Sequence, residues 1–199
     1  MITFGLTNYK TMSMKPAELK ALVDEMAASN SESAYRQVFD QLFLPIRKFS
    51  YGIVKSWEAA EEIASDVLFM LWQQRERLAE VNNIQYYAYV AARNQALNLL
   101  KRQIGREIIS LNDVEVDIRL VALSPEAIFL QGELRDKLEG AIASLPKQCK
   151  LVFKLIKEDG FSYKEVADML GVSPKTVDAH LVNAMKKLAT ILKAEFKLA

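Results

Sequence analysis

Apolar residues recur at three- and four-residue spacings through most of this 199-residue chain, so the pattern predicts helix nearly everywhere. A short amphipathic segment runs from Pro16 to Met26, and a polar break with capping residues follows at Ser29 to Ser33. From Ala34 to Val54 the stripe is Tyr35, Val38, Phe39, Leu42, Phe43, Ile46 and Phe49, with Pro45 placed to kink the helix or restart it. A second long helix is predicted over Trp57 to Leu78, inward through Ala60, Ile63, Ala64, Val67, Leu68, Leu71 and Trp72. Asn82 and Asn83 break the period. A third helix is expected from about Tyr86 to Arg102, with Val90, Leu97 and Leu100 inward.

Between Gln103 and Ser124 the helical period fades. The piece IISLNDVEVDIRL alternates apolar and polar in places, as a strand would, but a lone strand has no partner here. It reads as a linker, with Asp113, Glu115 and Asp117 close together. Ser124-Pro125-Glu126 then opens a helix leading through Leu130, Leu134, Leu138 and Ile142 to the break at Pro146. Another, from about Pro146 to Lys157, packs Cys149, Val152, Phe153 and Ile156 before Asp159-Gly160 ends it. The expected fold is all-α: two small helical domains, 1–102 and 125–199, joined by a flexible linker over 103–124.

The stretch FSYKEVADMLGVSPKTVDAHLVNAMKKL, Phe161 to Leu188, carries the densest local signals. Ser162 stands three residues before Glu165, a spacing at which each side chain can satisfy an amide of the first helical turn. Val166, Ala167 and Leu170 share one face. Gly171 falls where a helix needs a residue tolerant of left-handed dihedrals, and Val172 can fill the angle between two helices. Ser173 is a good N-cap and Pro174 suits the first helical position, where its missing amide hydrogen costs nothing. Val177, Leu181, Ala184 and Leu188 give the second helix its buried stripe. Lys175, Thr176, Asp178, Ala179, His180, Asn183, Lys186 and Lys187 remain outward, a set able to meet phosphates and base edges in a major groove. Helix pairs with a Gly-containing turn also occur in all-helical proteins that bind no DNA, but this order of caps, turn and stripe is that of a helix-turn-helix.

Composition narrows the rest. With 51% hydrophobic and 26% charged residues the chain can bury a core, and a net charge of +1 confines any nucleic-acid contact to local patches. The single cysteine, Cys149, rules out an internal disulfide and a cysteine-based zinc site, so core packing is its expected role. His180, the only histidine, has no second ligand near it in sequence, and an exposed helical position is expected for it. Residues 1–16 contain no apolar run of signal-peptide length and no stretch is long enough to span a bilayer, which predicts a cytoplasmic protein without membrane insertion. No phosphate-binding Gly-rich loop, metal cluster or nucleophile with its base is present, so neither enzymatic activity nor a cofactor nor a bound metal is expected.

Charge separates two neighbouring helices. From Trp57 to Glu80 six acids face two bases, Arg75 and Arg77. From Asn82 to Arg106 there is no acid, while Arg93, Lys101, Arg102 and Arg106 are present and Tyr86, Tyr87 and Tyr89 cluster at the helix start. Bases with aromatics suit single-stranded or melting DNA, whereas an acidic helix would repel DNA and suits a protein partner. Equally, such tyrosines can be core residues and such charges solvated faces.

In that order the parts resemble extracytoplasmic-function sigma factors of the sigma-70 type. The run Glu61-Glu62-Ile63-Ala64-Ser65-Asp66-Val67-Leu68-Phe69-Met70-Leu71-Trp72, followed by Tyr86 to Arg102 with Ala92-Arg93-Asn94-Gln95-Ala96-Leu97-Asn98 inside it, is similar to their region 2. Leu145-Pro146 with the helix-turn-helix is similar to their region 4. Two positions differ: Ser65 stands where the family often has glutamine, and Asn98 where it often has aspartate. The resemblance implies that residues 1–102 dock on core RNA polymerase and melt and read the minus-10 promoter element, and that 125–199 read the minus-35 element. By position it implies polymerase contacts at Glu62, Asp66, Phe69 and Gln73. It implies non-template-strand contacts at Tyr86, Tyr87, Arg93, Asn94, Asn98, Lys101 and Arg102, with Val81 to Gln85 bordering a pocket for a flipped base. Core RNA polymerase, promoter DNA and an anti-sigma factor are the implied partners in a bacterial cytoplasm. The helix from Ser173 is also similar to the output domain of response regulators, which bind duplex DNA without melting it. A receiver domain, however, would need alternating strands and helices, and Tyr35 to Arg102 has only helical periods.

Overall fold

A computed structural model describes residues 14–104 and 139–196. Among the described residues the structure is helical and has no strand. Residues 105–124 of the expected linker, and the part of the helix expected from Ser124 to Pro146 that precedes residue 139, lie outside them; 103 and 104 continue the helix before the linker.

The amino-terminal part is built from α1 (Pro16–Ser29), α2 (Glu32–Val54), α3 (Trp57–Gln73), a single turn α4 (Arg75–Leu78) and α5 (Ile84–Ile104). Its boundaries follow from local chemistry. The Ser31 and Ser56 hydroxyls each accept an amide hydrogen bond, from Ala34 and Ala59, at 3.2 Å, and so cap α2 and α3. Asn30 and Lys55 end α1 and α2 in the left-handed region, with φ 52° and 59°. Because caps and stripes agree, α2, α3 and α5 pack face to face, with α1 laid across α2, α4 and α5. Val38, Ile46, Phe49, Ala64, Val67, Leu68, Leu71, Ala88, Tyr89 and Ala92 are all buried in the shared core.

Two expectations for this part are corrected. Of the kink or restart expected at Pro45, the restart does not occur: α2 runs through it to Val54. It lies half-exposed, where a carbonyl deprived of its helical donor can be hydrated. The single helix expected over Trp57 to Leu78 is interrupted at Gln74, whose φ of −99° and ψ of 12° leave the helical region. That break turns Leu78 into the core at 1% exposure. It also lets Arg75 lie over the Trp72 ring, 4.7 Å from its centroid, while its Nε donates to Asn30 Oδ1 at 2.7 Å.

In the carboxy-terminal part, a helical turn at 139–143 leads to α6 (Lys147–Phe153), a π-helical stretch (Lys154–Glu158), α7 (Tyr163–Leu170) and α8 (Pro174–Phe196). The helix expected from Pro146 to Lys157 is thus α only as far as Phe153. Beyond it the Asp159 amide donates to the Lys154 carbonyl at 3.0 Å, a five-residue step that widens the turn. The widening brings Lys154, Glu158 and Asp159 together on one side, with Lys154 Nζ 3.0 Å from Glu158 Oε2 and 3.9 Å from Asp159 Oδ1. Cys149 is buried with Ala141, Ile142, Leu145, Ala184 and Leu188, which is the packing role expected of it.

A continuous core joins the two parts. The Tyr89 ring of α5 packs on Phe49 of α2 at 5.0 Å and, edge-on, on Phe161 at 5.0 Å. Phe161 immediately precedes the N-cap of α7, so it carries apolar contact from the helix-turn-helix to the long helices.

Candidate nucleic-acid interface

The helix-turn-helix forms as its sequence dictates. The Glu165 amide donates to Ser162 Oγ at 3.3 Å and the Ser162 amide to Glu165 Oε2 at 2.8 Å, which closes a capping box. Gly171 takes φ 67°, and the Val172 amide donates to the Ala167 carbonyl at 3.0 Å to finish α7. Ser173 Oγ accepts from the Thr176 amide at 3.1 Å and starts α8, with Pro174 as its first residue. Val177, Leu181, Ala184 and Leu188 are buried.

Eight side chains of α8 were candidates for the groove, and they divide. Lys175, Asp178, Ala179, Asn183 and Lys186 are exposed. Thr176 is half-buried, its hydroxyl 2.9 Å from that of Ser173 and so engaged in the cap. His180, expected to be exposed, is half-buried with Nδ1 3.7 Å from Cys149 Sγ, because Cys149 of α6 packs against this part of α8. Lys187 donates to the Ser144 carbonyl at 2.8 Å and ties α8 to the turn before α6. Lys187 is exposed as well but its ammonium is engaged, which leaves the other five exposed positions outward for a ligand.

On α3, Glu62, Asp66, Phe69 and Gln73 are all exposed at spacings of four, three and four, so they share one face. Phe69 is 54% exposed, unusual for so large an apolar side chain. On α5, Asn94, Asn98 and Arg102 form an exposed stripe, Lys101 is half-buried, and half-buried Arg93 donates from Nη1 to Asn94 Oδ1 at 3.2 Å. A cleft between the two helices has Glu62 and Asp66 on one wall and Asn98 and Arg102 on the other. The acidic and basic surfaces expected from sequence are therefore neighbours that meet at a common edge.

At its amino-terminal end α5 is engaged by α7. Asn83 caps the helix, its Oδ1 accepting from the Tyr86 amide at 3.0 Å, while its Nδ2 donates to Glu165 Oε1 at 2.6 Å. The Tyr86 hydroxyl donates to Asp168 Oδ2, and Gln85 Nε2 donates to the Asp159 carbonyl at 3.4 Å. Burial, and then the Asp168 carboxylate it serves, push the Tyr86 hydroxyl up to about 12, so it remains a protonated donor. Tyr87 donates instead to Gln74 Oε1 at 3.2 Å. Tyr89 is fully buried, and burial followed by the nearby Asp159 charge raises its hydroxyl well above the ordinary phenol range.

Beneath this contact lies a cluster of charges. Burial raises the Asp159 and Glu158 carboxyls, with Lys154 opposing in each case. Burial disfavours the Lys154 charge too, but Asp159 and Glu158 outweigh it and hold the ammonium above the ordinary lysine range. Lys48 of α2 is lowered by burial and by Lys154. Tyr89 Oη and Asp159 Oδ2 face one another without a hydrogen bond of ordinary geometry.

Sequence reasoning missed Asn83 as a cap with a distant partner, and missed Phe161, Glu165, Asp168 and the Lys154 cluster as a contact surface. One signal was available for Phe161: an apolar residue directly before an N-cap commonly packs inward as a staple. Among the described residues no group of histidine, cysteine, aspartate or glutamate could hold a metal ion, and no helix is long and apolar enough to cross a membrane.

Comparison with known proteins places these parts. Residues 39–104 match the family described as Sigma-70 region 2, and residues 135–188 the family described as Sigma-70, region 4. Among curated proteins none matches. Of solved structures, the sigma factor RpoE from Bartonella quintana, in a co-crystal with the anti-sigma factor NepR, is similar at 24% identity with a TM-score of 0.49, covering 80% of this chain and 96% of that one. CnrH, in complex with the cytosolic domain of CnrY, is similar at 17% identity with a TM-score of 0.47, covering 88% and 97%.

Proposed function

The chain belongs to the extracytoplasmic-function group of the sigma-70 family and is a sigma factor, and from that premise we propose that it binds core RNA polymerase and directs it to promoters. Region 2 reads and melts the minus-10 element, and region 4 reads the minus-35 element. The observation that carries this reading is the pairing, within one chain, of a helix-turn-helix whose outer face stays exposed with an acid-free helix set edge to edge against an acidic one. Domain limits of 1–102 and 125–199 follow the same division.

The parts then have distinct tasks. Glu62, Asp66, Phe69 and Gln73 form the polymerase-facing surface, where acids keep DNA away and Phe69 supplies apolar area. Arg93, Asn94, Asn98, Lys101 and Arg102 hold the non-template strand, with Tyr86 and Tyr87 at the end where bases unstack. Splaying bases costs a few kcal/mol, which stacking and pocket contacts must offset. Lys175, Asp178, Ala179, Asn183 and Lys186 face the minus-35 duplex, and each good base contact contributes about 1–3 kcal/mol of discrimination. A sigma factor acts by binding, so no covalent step is required of any residue. An anti-sigma factor is the inhibitory partner that membership of this family implies. The duplex-only regulator reading leaves the region 2 match over 39–104 without a role.

Promoter binding tests the proposal. In an electrophoretic mobility assay the isolated chain is expected to bind promoter fragments weakly, with phosphate contacts that fade as salt rises, and to bind tightly and selectively once core polymerase is added. Tight promoter binding by the chain alone, indifferent to core enzyme, contradicts it.

A further inference from the structure

The amino-terminal end of α5 is where an unstacked promoter base and its phosphates would arrive, and in this structure it is occupied. Glu165 and Asp168, two carboxylates one helical turn apart on α7, accept hydrogen bonds from Asn83 and Tyr86. The Phe161 ring lies edge-on to Tyr86 at 6.5 Å and to Tyr89 at 5.0 Å. Acceptors bearing negative charge, spaced along a backbone and accompanied by a flat apolar ring, are what a single strand presents to a protein.

We infer that the segment Phe161 to Asp168 stands in for the non-template strand, its carboxylates in place of phosphates and Phe161 in place of a base, so that the free chain masks its own minus-10 surface. This rests on the reading of α5 as the strand-holding helix. The distance between promoter elements requires the contact to open. Elements centred at minus-10 and minus-35 lie about 25 base pairs apart, roughly 85 Å of B-form duplex at 3.4 Å per base pair. A region 4 held in hydrogen-bond contact with α5 cannot lie on one element while region 2 lies on the other. Masking and opening are thus coupled: a partner that separates the two regions uncovers Asn83 and Tyr86 and frees the recognition helix to reach its site. Asp168 is exposed and belongs to neither proposed DNA-reading surface, so removing it alters the mask and not the reader.

Two variants test the mask. Asp168→Ala in the full chain is expected to bind a fluorescent single-stranded minus-10 oligonucleotide at least fivefold more tightly than Glu76→Ala, which removes the same charge from exposed α4. Equal binding by the two overturns the inference. In the second, Tyr86→Cys and Asp168→Cys are combined with Cys149→Ala and joined by a short bis-methanethiosulfonate reagent that reductant releases. The free chain should link readily. Run-off transcription with core polymerase should fall at least tenfold on linking and return on reduction to the level of the same variant before linking, a comparison within one folded molecule in which the loss of Tyr86 is common to both states. Failure to link, or undiminished transcription by the linked chain, overturns the masking. A chain that links but yields no promoter-dependent transcript even after reduction, where wild type also yields none, overturns the sigma-factor mechanism beneath it.

Discussion

Replacing Tyr89 by alanine is expected to lower the free energy of unfolding by about 3–5 kcal/mol, the range for removing a buried aromatic ring, while Tyr89→Phe leaves it unchanged or slightly higher. The ring is fully buried and touches Phe49 on one side and Phe161 on the other, so its loss opens a cavity that two rigid neighbours cannot fill. The hydroxyl behaves oppositely. It is buried beside Asp159 and Gln85 without a hydrogen bond of ordinary geometry, so deleting it removes a desolvated group and forfeits at most a weak bond. Because Tyr89 joins the core of region 2 to region 4, the alanine variant should also uncouple the two. Urea unfolding followed by tryptophan fluorescence, which reports on Trp57 and Trp72 in region 2, and by far-ultraviolet circular dichroism, which reports on both, should give coincident transitions for Tyr89→Phe and separated ones for Tyr89→Ala. A loss above about 1 kcal/mol in the phenylalanine variant would instead show that Tyr89 and Asp159 form a true hydrogen bond.

Phe69→Ala is expected to do the reverse, sparing the fold and damaging the complex. At 54% exposure the side chain contributes little to the core, so stability should change by less than about 0.5 kcal/mol, as at ordinary surface sites. Against core polymerase it is the one large apolar group on a face otherwise made of Glu62, Asp66 and Gln73. Aromatic groups at the centre of such patches typically cost at least about 2 kcal/mol in binding when truncated, a factor of roughly thirty in affinity. Titration of labelled chain with core enzyme measures this directly. An affinity unchanged by Phe69→Ala, with Glu62→Ala and Asp66→Ala also silent, would remove this face from the docking surface.

Much of this architecture was legible because its signals are local. Ser162 and Glu165, Gly171, and Ser173-Pro174 each act within one turn, and the caps and turn form where those residues stand. The stripes through α2, α3 and α5 likewise needed only the helical period. What escaped depends on partners far off in the chain. Asn83 and Glu165 are 82 residues apart, and neither side chain announces the other. The break at Gln74 follows from how Leu78 and Arg75 settle against α1 and Trp72, which no window of sequence contains. The π-helical stretch follows from gathering Lys154, Glu158 and Asp159 against Tyr89 and Lys48, a tertiary demand placed on residues that otherwise suit a plain α-helix. Among the candidate contacts the same rule holds: Asn94, Asn98 and Arg102 stay outward as their spacing requires, while Thr176, His180 and Lys187 are drawn to Ser173, Cys149 and Ser144.

This chain is proposed to enable core RNA polymerase to open and transcribe promoters. Run-off transcription with purified core enzyme, coupled to permanganate footprinting of unpaired thymines, tests it most directly. The expected result is a promoter-dependent transcript with thymines around minus-10 becoming reactive only when chain and core are both present, and with both signals reduced at least tenfold by combined Arg93→Ala and Arg102→Ala. Thymines that stay unreactive, with no transcript above that of core enzyme alone across a library of upstream sequences, would contradict it.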